Sequence, residues 1–186
     1  MLVLLSALAL AADLGSIDVH DPSRPLAVGT RMGAWTGPYT APALGGHVKL
    51  RASDAVGLTG FADHTLRIEQ GIARHDHVIG FSAWSPALIG TDAWYLSPTV
   101  GACVDFRIDS PVAGQRTPAN HDVLFGAHAG LTTEVALAPR LSAEANAQAF
   151  AYVGNAMATG DWTASSSPGL HPSAVVQLLG SLNLTL

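Results

Sequence analysis

From Arg140 to Val153 every second residue is apolar: Leu141, Ala143, Ala145, Ala147, Ala149, Ala151 and Val153. Between them stand Arg140, Ser142, Glu144, Asn146, Gln148, Phe150 and Tyr152. Strict alternation predicts a strand with one dry and one wet face. The composition, rich in Ala, Glu and Gln, favours a helix. At helical spacing, however, polar and apolar residues would mix on every face, so the period decides. A tilted strand of about 9–11 residues is long enough to cross a bilayer.

The same period recurs along the chain. A first strand over Ala27–Thr36 sets Val28, Thr30, Met32 and Ala34 against Gly29, Arg31, Gly33 and Trp35. Gly37–Pro42 breaks the pattern with Gly and Pro. A second strand, Ala43–Ala52, sets Leu44, Gly46, Val48 and Leu50 against Gly45, His47, Lys49 and Arg51. After Ser53-Asp54 a third covers Ala55–His64, with Val56, Leu58 and Gly60 dry, and Thr65–Gly71 reads as a charged loop. The fourth, Ile72–Ser85, carries Ile79, Phe81 and Ala83 on its dry side, and Ser85–Asp92 returns the chain.

In the fifth strand, Ala93–Ile108, Trp94, Leu96, Val100, Ala102, Val104, Phe106 and Ile108 share one parity. Tyr95, Ser97, Thr99, Gly101, Cys103, Asp105 and Arg107 share the other, and Pro98 calls for a bulge or a frayed start. Asp109–Asn120 is a long polar loop. The sixth strand, His121–Leu137, has Val123, Phe125, Ala127, Ala129, Leu131, Val135 and Leu137 dry. Ala138-Pro139 turns tightly into the alternating stretch, Asn155–Pro172 is a second long loop, and Ser173–Leu186 is the last strand. Eight strands result. The links after the second and sixth are short, whereas those after the third, fifth and seventh are long, as in a membrane barrel with short turns on one side.

Charge sharpens this picture. Arg31, Lys49, Arg51, Asp105, Arg107, Glu134 and Glu144 all fall on the polar parity. An Arg or Lys facing lipid at mid-membrane costs about 2–4 kcal/mol, so such segregation is expected of a barrel in a bilayer. Charged residues make up 12% of the 186-residue chain, about half the usual share of a soluble protein. A soluble sandwich would lack the charge to cover its surface. Mean hydropathy is +0.30, yet no run of about 18 apolar residues offers a transmembrane helix. The net charge of −5 gives no reason to expect nucleic-acid binding.

Residues 1–11, from MLVLLSALALA, read as a secretory leader with Ala9-Leu10-Ala11 as a small-x-small cleavage site, although Lys and Arg are missing before the apolar run. The alternative is a buried first strand. Residues 12–186 then form one barrel domain, opened by a polar lead-in up to Pro25. Cys103 is the only cysteine, so there is no intramolecular disulfide framework.

Taken whole, the chain resembles the small eight-stranded bacterial outer-membrane barrels of the OmpA/OmpX type, an all-β, antiparallel, up-and-down transmembrane fold. The likeness rests on architecture; no diagnostic motif carries it. It ends NLTL rather than in the aromatic residue usual for the family's last strand. The resemblance implies an outer-membrane location, contact with the bilayer and lipopolysaccharide, and insertion by the barrel-assembly machinery. Aromatics are 6% of the chain, so interfacial girdles would be thin. Trp94 and Phe106 suit one girdle each, since twelve residues at about 3.3 Å, tilted about 40°, span about 30 Å.

Side chains can fill the lumen of eight strands. The polar-parity charges then form a lumenal ion-pair cluster of Arg31, Lys49, Arg51, Glu134, Glu144, Asp105 and Arg107. With a turn centred on Pro139, Glu134 and Glu144 face each other, so that either a cation stands between them or one carboxyl stays protonated; of the candidate cations Arg31, Lys49 and Arg51, the first two are favoured. His64, His75, His77 and His121 gather with Asp76 at the loop ends of their strands, and His75 and His77 share a face. Their spacing matches no metal motif, so no metal or cofactor is expected and these four are the loose candidates. His128 lacks a serine two residues on, where Gly130 stands, so no deacylase motif maps onto the chain. The reading is a non-enzymatic barrel with a structural or surface-interaction role. An outer-membrane lipid-modifying enzyme or a narrow conduit for small apolar solutes is the alternative.

Overall fold

The structure is a computed structural model, and it describes residues 25–37, 40–53, 56–69, 71–85, 89–91, 93–112, 120–154 and 171–186. The proposed leader, most of the lead-in and the centres of both long loops lie outside these residues. The strands are β1 (Leu26–Thr36), β2 (Thr40–Arg51), β3 (Gly57–Glu69), β4 (Ile72–Trp84), β5 (Ile89–Thr91), β6 (Trp94–Pro111), β7 (Asn120–Ala138), β8 (Leu141–Gly154) and β9 (His171–Thr185). All pair antiparallel in the order β4-β3-β2-β1-β9-β8-β7-β6, and β4 pairs with β6 to close the barrel. Eight long strands thus form an up-and-down barrel. Both chain ends of the barrel meet at one end, where the Leu186 amide donates to the Leu26 carbonyl at 2.9 Å. We call this the lower end.

Alternation decides the faces. Val78 and Leu124 are 0% exposed, whereas their neighbours Ile79 and Phe125 are 56% and 64% exposed. The outward side carries Met32, Leu44, Val48, Phe81, Val100, Leu131, Leu178 and Leu182, all exposed. This outward apolar band is the reverse of a soluble protein, which turns such residues inward. It is what a barrel in lipid presents. The inward side carries Arg31, Lys49, Asp105, Gln177 and Asn183, all buried. Trp35, Phe150 and Tyr152 stack within it, with Trp35 and Phe150 ring centroids 5.4 Å apart. So narrow a lumen leaves some positions no room for a side chain. A Cβ on Gly126 would lie 2.7 Å from the Tyr152 ring, and one on Gly101 would lie 2.6 Å from His128.

Several boundaries differ from those the sequence predicts, each for a local reason. Thr65–Glu69 continues β3 and is not a loop. Its alternation persists, with Thr65 buried and Leu66 and Ile68 exposed, and the charge of Arg67 merely disguises it. Glu69 pairs with Ile72, so the connection is a tight hairpin in which Gly71 takes φ 79°, a conformation glycine adopts without penalty. β2 begins at Thr40 and includes Pro42, paired with Ala34. Its pairing with β3 starts only at Ala43, so Pro42 has a neighbour on one side alone and its missing N–H leaves no gap in a ladder.

Pro98 makes no bulge; it pairs in register with Leu131. On its other side β4 stops at Trp84, opposite Thr99, and the three-residue β5 begins opposite Leu96. Pro98 falls in the gap between them. That short β5 lies within Ser85–Asp92, where the sequence suggests only a return. At the far ends β6 reaches Pro111 and β9 starts at His171, so both long loops are shorter than the sequence implies.

Candidate functional site in the barrel lumen

The turn between β7 and β8 sets the lowest part of the lumen. Its two residues, Pro139 and Arg140, would by themselves place Val135 opposite Glu144. A bulge at Leu137, between the pairs Ala136–Ser142 and Ala138–Leu141, shifts the register by one. Glu134 therefore faces Glu144 directly. Lys49 from β2 reaches across the lumen and places Nζ between them, hydrogen-bonded to Glu134 Oε2 and 2.7 Å from Glu144 Oε2. Nζ also donates to Tyr95 Oη at 3.0 Å, and Tyr95 Oη donates in turn to Glu134. Ser142 Oγ donates to Glu134 Oε1, and Asn183 Nδ2 donates to the same oxygen at 2.9 Å. One cation between two carboxylates leaves an excess negative charge, and three neutral donors spread it. Trp84 closes the group, with Lys49 Nζ 5.0 Å from its ring centroid.

A second tier lies above. Arg31 Nη2 stands 3.3 Å from Asp63 Oδ2 and donates to Gln177 Oε1 at 3.3 Å. Gln177 Nε2 donates to Asp63 Oδ2 at 2.8 Å, and the guanidinium lies 4.5 Å over the Phe61 ring. The third tier fills the upper end. Arg107 Nε donates to Asp76 Oδ1 at 2.6 Å and Nη2 to Asp105 Oδ2 at 3.3 Å. Arg74 holds Asp109 through two bonds of 2.7 and 2.8 Å. Such two-pronged guanidinium–carboxylate pairs fix geometry as well as charge.

The seven lumenal charges expected from the sequence thus do not form one cluster. Lys49, Glu134 and Glu144 come together; Arg31 pairs with Asp63 and not with the glutamates; Asp105 and Arg107 belong to the upper tier. Arg51 is half-buried near the lower rim. Asp63, Arg74 and Asp109 are not among the charges expected from the sequence, although inward parity marks the first two. Asp109 is missed because β6 runs further than the predicted loop boundary. Asp76 is misplaced with the histidines: it points inward and is 0% exposed.

The histidines themselves divide. His64, His75 and His77 sit together on the outward face of β3 and β4, with the His64 and His77 ring centroids 4.6 Å apart. His121 is on β7, opposite Ile108 of β6, which in turn is opposite His75 of β4. One strand therefore separates it from the trio. His128 is inward, and its Nε2 is 2.8 Å from Ser82 Oγ. Ser82 and His128 stand on either side of Gly101 of β6, which is opposite both, and the missing side chain there leaves the His128 ring its room.

No protein-family model matches the sequence, and no curated protein matches it. Solved structures do. A major outer-membrane protein of Thermus thermophilus superposes with a TM-score of 0.60 at 12% identity, covering 87% of this chain and 98% of that one. This is the fold of the small eight-stranded outer-membrane barrels. Neisserial surface protein A matches this barrel with a TM-score of 0.53 at 11% identity, over 87% of this chain and 96% of that chain. The attachment invasion locus protein Ail of Yersinia pestis gives the same values. At such identities the likeness shows the barrel's fold alone, and the lumenal tiers stand on their own geometry.

Proposed function

We propose that the protein is a bacterial outer-membrane barrel with a structural or surface-interaction role, its lumen plugged by its own side chains and its upper loops supplying any specificity. The observation that carries this reading is the stack of three buried ion-pair tiers across the lumen. A cavity of about 20 Å³ bounded by Arg31, Lys49, Tyr95, Thr99 and Gln148 holds about one water. A path for apolar solutes would have to cross fixed charges in every tier, at a desolvation cost on the charges it exposed. The Ser82–His128 contact does not favour catalysis. His128 Nδ1 has no hydrogen-bond partner among the described residues, so nothing orients it as a base, and Phe61 and Phe150 enclose the ring.

The test combines two measurements on the membrane-extracted protein. Gel mobility should change on boiling, as a folded barrel opens, and the protein should fractionate with outer membranes. Reconstituted in planar bilayers, it should give no sustained conductance. Stable channel openings would overturn the plug, and a heat-insensitive protein in the periplasmic fraction would overturn the location.

A further inference from the structure

The outward face is apolar over most of β4, where Ala83, Phe81 and Ile79 follow one another at alternate positions. That run then gives way to His77 and His75. The change occurs at the level of Phe106, which pairs with His77 and ends the about 30 Å span that starts at Trp94. Across the hairpin His64 pairs directly with His77. Leu66, opposite His75, separates neither ring from the other two: His64 and His75 ring centroids are 5.5 Å apart. Three imidazoles therefore crowd one patch beside the apolar band, and His77 is exposed there while His64 and His75 are half-exposed.

We infer that His64 and His77 form a two-imidazole chelate for a divalent transition-metal ion, with His75 beside it. Directly paired residues on neighbouring strands have Cβ atoms about 4.5–5.5 Å apart. Their side chains leave the sheet on the same side, so both ring nitrogens can turn to one ion without any backbone change. The β3–β4 ladder continues in register on both sides of the pair, from Gly57–Trp84 to Glu69–Ile72, and holds the two Cα atoms fixed.

Among the described residues no three His, Cys, Asp or Glu side chains already converge as a metal cage, and the His64 and His77 rings lie tilted by 35° to one another. The chelate forms by rotation of these surface side chains, and water completes the coordination. The donor set is purely imidazole. Asp76, the acidic residue between His75 and His77 in sequence, is turned into the lumen and held by Arg107 and Thr65. Imidazole without carboxylate suits copper, nickel or zinc and not calcium or magnesium. His121, separated by β6, lies outside the chelate and serves as the internal control.

The experiment is titration of the full, untagged chain, folded in detergent micelles, with Cu²⁺. Calorimetry reads affinity, and electron paramagnetic resonance reads nitrogen ligation. We expect one site with nitrogen hyperfine structure. Loss of either ligand, H64Q or H77Q, should weaken it by at least about tenfold, while H121Q changes it by less than about twofold. Heat-modifiable mobility verifies that each variant is folded. Ni²⁺ should raise the thermal unfolding midpoint of the wild type and not that of H64Q/H77Q, since an ion bound only by the folded state stabilises it. An unchanged affinity in H64Q/H77Q overturns the inference, as does wild-type protein that binds no Cu²⁺. Equal losses in H64Q and H121Q would overturn it too, because they would mean a diffuse histidine surface, such as one contacting lipid phosphates.

Discussion

A lysine shared by two facing glutamates makes an unequal set of three. Removing Lys49 leaves two carboxylates opposed in a dry space, whereas removing one glutamate leaves a matched pair. Glu134 accepts from Lys49, Tyr95, Ser142 and Asn183, while Glu144 takes Lys49 and a longer 3.4 Å bond from Asn183. Chemical unfolding in detergent should therefore rank Lys49→Met as the most damaging change, at about 3–5 kcal/mol, the range for a broken buried pair. Glu134→Gln should follow, and Glu144→Gln should cost least, about 1–3 kcal/mol. Adding Glu134→Gln to Lys49→Met should recover part of the loss. A Lys49→Met protein as stable as the wild type would show the tier to be dispensable. The opposition of the two glutamates was legible in the sequence as equal spacing about Pro139, although it takes the bulge at Leu137, which the sequence does not mark, to secure it. Which cation meets them was not. That depends on the stagger of β2 against β7 across the closed barrel, and no local pattern in the chain records it.

Within single strands the alternation carries almost all the information, and β8 is its cleanest case. Ala147 is exposed on the outward face and Gln148 is buried against Thr99. Ala147→Arg should cost about 2–4 kcal/mol if that position faces mid-membrane lipid, and the folded fraction in outer membranes should fall accordingly. Ala147→Leu at the same position should be tolerated. Equal yields from the two variants in heat-modifiable gels would deny that this face meets lipid. The strand ends were harder to read, since charge and proline imitate loops. Arg67 sits in β3 and Pro42 and Pro98 sit in ladders, each excused by what its neighbours do. The partners that excuse them, β5 for Pro98 and the late start of β3 pairing for Pro42, are long-range facts. A period can be read from one strand, but a gap in a ladder needs three.

For the molecule as a whole, the barrel has an orientation to be tested. Its lower end gathers both ends of the barrel and the two-residue turn at Pro139-Arg140, and its upper end carries the links spanning residues 113–119 and 155–170. The tight β3–β4 hairpin is also at the upper end, so the two longest links decide the orientation, and in an outer-membrane barrel these face the medium. Cys103, the only cysteine, is buried in the lumen beside Tyr152, which gives a built-in control for thiol labelling. A membrane-impermeant maleimide added to intact cells should label Thr117→Cys and leave Arg140→Cys and the wild type unlabelled. Permeabilising the outer membrane should add Arg140→Cys, because Arg140 is exposed in its turn. Only boiling in detergent, which opens the barrel, should bring Cys103 into reaction. Labelling of Arg140→Cys before Thr117→Cys would invert the barrel. Labelling of Cys103 in intact cells would mean that the lumen admits a molecule the size of the reagent, which three tiers of ion pairs should forbid.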